Sequence, residues 1–526
     1  MKPSTRSWTV LLLQPLLLAT LPCCHTSQKR TPAAVASLPT AGAADQRTVE
    51  QAHQQRTVVR RSSARFEIIP GSKEAYMARL AMVETARRTL DVQYFIWSDD
   101  IVGTVMADRL LAAADRGVKV RLLLDVTRGA QKDVRSAGLG SHPNIQVAFF
   151  NPATDLKGIF AGNPIPIIGE IDRMQSRMHN KIMIADNATV IGGGRNLGDD
   201  YYGIHPKHNM RDLDFIATGP VVRDAAKSFA LYWVSPLTHH ETPAEMTDAA
   251  RQELRARLAR RKEELTSKGG SPYPTHLSPA QAHSVLAKVT AGMVPASYEF
   301  VADPPERMLK TQRTASPVSQ VVEQAIHRAK KEILIHEAYF IPQDAELEML
   351  RAAVARGVRV RVLTNSLASI DGNPAMSGIA GRRADILRSG VALHELNENA
   401  PSRSTYIHLA QPTELSMHTK AVLVDDHLSF IGSYNMDPRS KFINTETGVV
   451  IDSPAVAARL RQYLEEDLQP SNSWRVERRP APLGGVRWIG EGPDRQPVVR
   501  RSPPDAPLSS RVKCFFLRCL PVEGVL

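Results

Sequence analysis

Two short runs hold the residue types that can process a phosphodiester. His179 and Lys181 are followed by Asp186, and His418 and Lys420 are followed, at the same spacing, by Asp425. Six residues further on, each copy reaches a small-residue loop ending in asparagine: Gly193-Gly194-Arg195-Asn196 and Gly432-Ser433-Tyr434-Asn435. A phosphodiester is anionic and resists attack. Lysine and asparagine can neutralise and orient its non-bridging oxygens. A neutral imidazole is nucleophilic near pH 7 and can attack phosphorus directly. A second imidazole can protonate the leaving oxygen and later deprotonate an incoming hydroxyl. That division of labour needs two rings in different environments, one a free base and one an acid. The candidate catalytic set is therefore His179, Lys181, Asp186, His418, Lys420 and Asp425, with Asn196 and Asn435 binding phosphate. Asp186-Asn187 and Asp425-Asp426 also supply turn chemistry. Asp212 and Glu446, each on the apolar segment after its motif, are candidates to orient a histidine, with Asp214 as a substitute for Asp212. No spacing suggests a metal site, and the chemistry asks for no cofactor.

The elements that must position these groups repeat as well. Side chains two apart in an extended segment share a face, so each histidine points the same way as its lysine. A hairpin through 189–191 or 429–431 returns the asparagine towards them. Helices are predicted over 73–89 and 102–114, with Gly117 as a stop signal, and strands over 90–97 and 118–124. Strands at 333–341 and 358–363 and a helix at 345–355 repeat that order, which implies a parallel α/β sheet. Ala114-Asp-Arg116-Gly117 matches Ala355-Arg356-Gly357 in the second half, and Tyr94-Phe95-Ile96 matches Tyr339-Phe340-Ile341. The period is domain-sized, which marks a duplication and not a solenoid.

A chain of 526 residues has room for two domains, and its 43% hydrophobic content is globular. A net charge of +12 favours anionic partners. The cysteines, Cys23, Cys24, Cys514 and Cys519, all lie near the termini, so no disulfide framework is expected. Residues 1–24 have a basic start and a short leucine-rich run, the layout of a secretory signal, with Cys23 or Cys24 as a candidate lipidation site. The expected organisation is a signal over 1–24, a tether over 25–62, domains over 63–240 and 299–475, a connecting helix and linker over 241–298, and a basic, Pro-rich tail over 476–526. The stretch after 469 is expected outside the core, and 511–526 suits a helix lying in a membrane interface.

At the duplicated motif the chain resembles the phospholipase D superfamily, and more closely bacterial cardiolipin synthases of the type C branch. The resemblance runs from about residue 65 to 474. It is carried by the motifs above and by Leu90-Asp-Val-Gln-Tyr-Phe-Ile-Trp97, Asn435-Met-Asp-Pro-Arg-Ser440 and Thr364-Asn-Ser-Leu-Ala368. It implies two phospholipase D-like α-β-α sandwich domains packed with pseudo-twofold symmetry around one shared site. It also implies a phosphohistidine intermediate and phosphatidyl transfer onto phosphatidylglycerol, with phosphatidylethanolamine as donor. The implied partners are phospholipid substrates and an anionic membrane surface, with no nucleic acid, at the periplasm-facing side of a bacterial cell envelope. Hydrolysis by the same site is the alternative, ahead of a secreted nuclease or a non-catalytic membrane scaffold. One departure bears on headgroup choice: Met376 and Ile379 stand where the family tends to carry a histidine and a tyrosine.

Overall fold

The computed structural model describes residues 61–125, 136–152, 175–241, 248–267, 272–309, 313–370, 373–409, 413–480, 484–492 and 494–517. The expected signal, the candidate lipidation site and nearly all of the expected tether lie outside these residues. So do Cys519 and the end of the expected interfacial helix.

The first half contributes strands β1 (Arg61–Ile69), β2 (Thr89–Tyr94), β3 (Lys119–Asp125), β4 (Ile145–Phe150), β5 (Ile182–Ala185), β6 (Thr189–Gly193), β7 (His208–Arg211), β8 (Asp214–Thr218) and β9 (Thr238–His240). Its principal helices are α1 (Ser72–Thr85), α2 (Ile101–Asp115) and α3 (Pro220–Trp233), and α4 (Asp248–Ser267) and α5 (Pro279–Thr290) lead towards the second half. That half contributes β10 (Val294–Ala302), β11 (Glu332–Glu337), β12 (Arg359–Thr364), β13 (Ala392–Leu396), β14 (Glu414–Met417), β15 (Lys420–Val424), β16 (Leu428–Gly432) and β17 (Thr447–Asp452). After these come β18 (Ser473–Arg478), β19 (Val486–Glu491) and β20 (Pro497–Arg500). Its principal helices are α6 (Pro317–His327), α7 (Asp344–Ala355), α8 (Asn373–Arg388), α9 (Pro454–Asp467) and α10 (Leu508–Leu517).

Strand pairing runs β9-β4-β3-β2-β5-β6-β8-β1 in the first half and β10-β17-β16-β15-β11-β12-β13-β18 in the second. The antiparallel β1–β10 pair joins them. Each strand thus has a counterpart at the same distance from this seam, the order that a pseudo-twofold axis produces. Within this sheet β2-β3-β4 and β11-β12-β13 are parallel, as the strand-helix-strand order implied, and the other pairs are antiparallel, so the sheet is mixed. The motif strands β5 and β15 enter as antiparallel hairpins, because each must turn back within a few residues to deliver its asparagine loop.

Local chemistry fixes the ends of several elements. Asp100 caps α2 by accepting the Gly103 N–H, and Gly117 and Gly357 follow α2 and α7 at φ 94° and 85°, a conformation that favours glycine. One buried apolar cluster crosses the seam, with Phe66, Phe215 and Met178 of the first half packed among Met417, Leu423 and Leu460 of the second. The stretch after 469 departs from expectation. β18 pairs with β13, and Trp474, Val476 and Trp488 are buried in the second half's core. Alternating apolar residues there outweigh the local Pro and Arg content.

Candidate active site

The site forms where the segments just before the motif strands cross between the halves. Met178 bridges Thr445, and the His179 N–H donates to the Thr445 carbonyl at 2.9 Å. In the symmetric crossing β14 pairs with β7, and the His418 N–H donates to the Arg211 carbonyl at 2.7 Å. Each histidine backbone is therefore held by the other half, next to that half's carboxylate.

The side chains repeat the exchange. His179 Nδ1 lies 2.8 Å from Glu446 Oε2, and His418 Nδ1 lies 2.6 Å from Asp212 Oδ2. With Nδ1 donating to a carboxylate, the other ring nitrogen, Nε2, is left for chemistry. Both histidine side chains are nearly buried, at 10% and 8% exposure. An aromatic edge flanks each: Phe95 lies 5.0 Å from His179 and Tyr201 5.2 Å from His418, measured between ring centres. The Lys181 and Lys420 ammonium groups each donate to the carbonyl of their own histidine at 2.5 Å.

The two carboxylates differ in environment. Burial pushes Glu446 up to about 7, against the pull of Lys181 and the Ser433 hydroxyl, which donates to Oε2 at 2.5 Å. Burial opposes ionisation of Asp212 too, but His418, Lys420 and Arg195 outweigh it and hold Asp212 below the usual carboxylate range. Burial lowers His179 well below an ordinary histidine, and Lys181, Lys420 and His418 add to that. His418 is also lowered by burial and Lys420, with Asp212 acting in the opposite direction. Burial brings Lys181 down to about 7, with Glu446 opposing. One sequence difference that contributes to the asymmetry sits in the glycine loops: Arg195 of the first loop helps to hold Asp212 low, and the second loop has the uncharged Tyr434 at the matching place. The Ser433 hydroxyl works against the asymmetry, and a Cβ on Gly194 would lie 2.1 Å from Asp212 Oδ1, so the first loop has no room for such a hydroxyl.

The asparagines end near these groups in different states. Asn196 accepts the Ile96 N–H at 3.1 Å and donates to the Tyr201 hydroxyl at 2.8 Å, which ties it to the ring beside His418. Asn435 is buried with its side-chain carbonyl unpaired. Asp214 does not replace Asp212; it pairs with Arg79 at 2.8 Å and Arg195 at 3.1 Å.

Asp186 and Asp425 are not brought to the site, and their place in the catalytic set is corrected. Each sits at the far end of its motif strand, about 16 Å of extended chain from its lysine at ~3.3 Å per residue. Asp186 accepts the backbone N–H groups of Arg87, Arg88 and Thr89, and Asp425 those of Lys330, Lys331 and Glu332. Both have left-handed backbone, φ 54° and 53°. They lock the turn of the hairpin to the start of the neighbouring strand.

Sequence reasoning passed over three groups here. Tyr201 and Ser433 lie inside or just after the loops it used, but nothing local marks them as partners of a histidine network. Glu337 is fully buried opposite Lys420 in the β11–β15 pair, and burial drives it well above the carboxylate range against the opposing pull of Lys420. Its strand reads simply as apolar core. Among the described residues no group of three His, Cys, Asp or Glu side chains converges as a metal site.

Residues 80–233 and 322–468 match the family model described as "Cardiolipin synthase, PLD-like domain". Cardiolipin synthase C of Escherichia coli (strain K12) is 34% identical over 86% of this chain and 94% of its own length. A cardiolipin synthase A of Pseudomonas putida (strain KT2440) is 29% identical over 78% of this chain and 69% of its own. Among solved structures, phosphatidylserine synthase of Haemophilus influenzae Rd KW20 is similar in fold, with a TM-score of 0.51, 14% identity and coverage of 81% of this chain and 90% of that one.

Proposed function

We infer the reaction from one premise: the chain belongs to the phospholipase D-like cardiolipin synthase family. It is an enzyme of phospholipid phosphatidyl transfer. We propose that it makes cardiolipin, with phosphatidylglycerol as acceptor and phosphatidylethanolamine as donor, through a phosphohistidine. The crossed pairs His179–Glu446 and His418–Asp212 carry this reading, since each half supplies the carboxylate for the other half's ring.

In the proposed course Lys181, Lys420 and the asparagines receive the phosphodiester oxygens. The Nε2 lone pair of His179 attacks phosphorus, the bond to the headgroup oxygen breaks, and His418 gives that oxygen its proton. The headgroup alcohol leaves. His418, now neutral, takes the proton from a phosphatidylglycerol hydroxyl, whose oxygen attacks phosphorus and frees His179. Two observations support this assignment of roles. His179 is driven furthest towards the free base, and His418 faces the carboxylate that stays ionised. Exclusion of water from the phosphohistidine is what separates transfer from hydrolysis.

The test is product identification by mass after incubating the full chain with phosphatidylglycerol, with and without phosphatidylethanolamine. Cardiolipin is expected, with free ethanolamine when the second lipid is present. Phosphatidic acid alone would make the protein a hydrolase. His179→Ala and His418→Ala should each lower turnover by at least about 10³-fold, and wild-type turnover by either would reject a shared site. We further propose an anionic lipid surface as the protein's working environment. Among the described residues no helix is long and apolar enough to cross a membrane.

A further inference from the structure

The large apolar side chains that the described residues leave exposed are concentrated on one helix. Leu508, Val512, Phe515 and Phe516 of α10 are 74%, 47%, 64% and 65% exposed; only Val234, Leu309 and Val499 join them. Their spacing of four, three and one places all four on a single helical face. Cys514, on the opposite face, is buried with Ala506 against Leu367, Met376, Ile379 and Ala380 of the second half. The helix is therefore anchored to the body by one side and presents an apolar stripe on the other. Arg511 and Lys513 fall on either side of that stripe at 100° per residue. Lys513 is exposed, and Arg511 is half-buried with one N–H donated to the Pro503 carbonyl at 2.9 Å.

The surface is continuous with the site's own scaffold. Ile341 belongs to the cluster under α10, and its N–H donates at 2.9 Å to the carbonyl of Met436, the residue after Asn435. Whatever covers the stripe is thus held on the flank of the second half that carries Asn435.

We propose that α10 docks on an anionic phospholipid bilayer, with Leu508, Val512, Phe515 and Phe516 in the acyl boundary and Arg511 and Lys513 at the headgroups. An apolar face bordered by cations suits an interface where hydrocarbon and negative charge lie within one helix diameter of each other. A second copy fits less well. Four side chains at these exposures offer about 450 Å², taking ~150–250 Å² for each whole aromatic, against about 800 Å² per partner in a stable interface. The chain's net charge of +12 also opposes self-association and favours the anionic surface. The proposal rests on the reading that the substrates are phospholipids, and it adds where the protein meets them.

The experiment uses the full chain and vesicles of phosphatidylglycerol with phosphatidylethanolamine, against vesicles of phosphatidylcholine alone. Phe516→Trp reports locally, whatever else in the chain touches lipid. Brominated lipid should quench its added emission in the anionic vesicles at least twofold more than in the neutral ones. The double variant F515S/F516S should lose at least tenfold in flotation with anionic vesicles. It should keep wild-type turnover of short-chain phosphatidylglycerol below its micelle concentration. No added quenching at residue 516 overturns the proposal, as does a double variant that dissociates a dimer without changing flotation. Loss of turnover on monomeric lipid by the wild-type protein would instead reject the proposed function, and quenching would still decide the docking.

Discussion

At the residue scale, the unequal charging of two carboxylates is the feature with the clearest consequence. Asp212 is held ionised beside His418, whereas burial raises Glu446 to about 7 beside His179. An ionised Asp212 favours the protonated form of His418 against burial and Lys420, so Asp212→Asn should lower kcat/KM by about 10²-fold. It should also move the alkaline limb of the pH profile to lower pH, because the acid form of His418 is lost sooner. Glu446→Gln replaces a group already half-protonated near neutrality and should displace the profile less. Equal displacement by the two variants in kcat/KM measured against pH would contradict the assigned roles. The histidines, lysines and asparagines were legible in the sequence because a motif written twice fixes their identity. Asp212 and Glu446 were legible only as candidates, and the crossing of each to the other half's histidine was not, because nothing local encodes a contact between residues more than 200 positions apart.

At the element scale, the aspartate that ends each copy of the motif serves the hairpin. Burial opposes ionisation of Asp186 and Asp425, but three backbone N–H donors apiece outweigh it, and both fall below their ordinary value. A group whose folded pKa is depressed adds stability above its unfolded pKa and loses it as pH falls through the folded one. Asp186→Ala and Asp425→Ala should therefore each cost about 1–3 kcal/mol near pH 7, with the difference from wild type shrinking below about pH 4. Denaturant titration at the two pH values checks this. A variant that keeps its stability and loses only kcat would return the aspartate to the chemistry. The spacing that tied the aspartates to the motif was real, but spacing along a strand cannot tell a catalytic carboxylate from one that fastens the strand's end.

At the scale of the whole molecule, the site exists only while the halves stay together. Arg211 precedes Asp212, and its buried guanidinium pairs with Asp467 of α9 and lies 4.0 Å from the centre of the Tyr463 ring. The Tyr463 hydroxyl donates to the Asp212 carbonyl at 3.2 Å. Asp467→Ala leaves the guanidinium buried without its counter-charge and should destabilise the fold by about 3–5 kcal/mol. It should also loosen Asp212 against His418, so kcat should fall while the protein remains folded at low temperature. A loss under about 1 kcal/mol in denaturant titration, with unchanged kcat, would show that this pair does not hold the seam.

The sequence by itself determined the duplication, the candidate reacting residue types and the family, because these depend on identity and spacing along one chain. Elements with strong local signals, such as α2 closing at Gly117, were determined too. Tertiary structure alone decided which carboxylate serves which ring, that Asp186 and Asp425 stand outside the site, and that β18 and β19 belong to the core. It also decided that the stripe on α10 faces outward. Each of these turns on desolvation and on partners distant in sequence, which exist only once both halves have closed on one another.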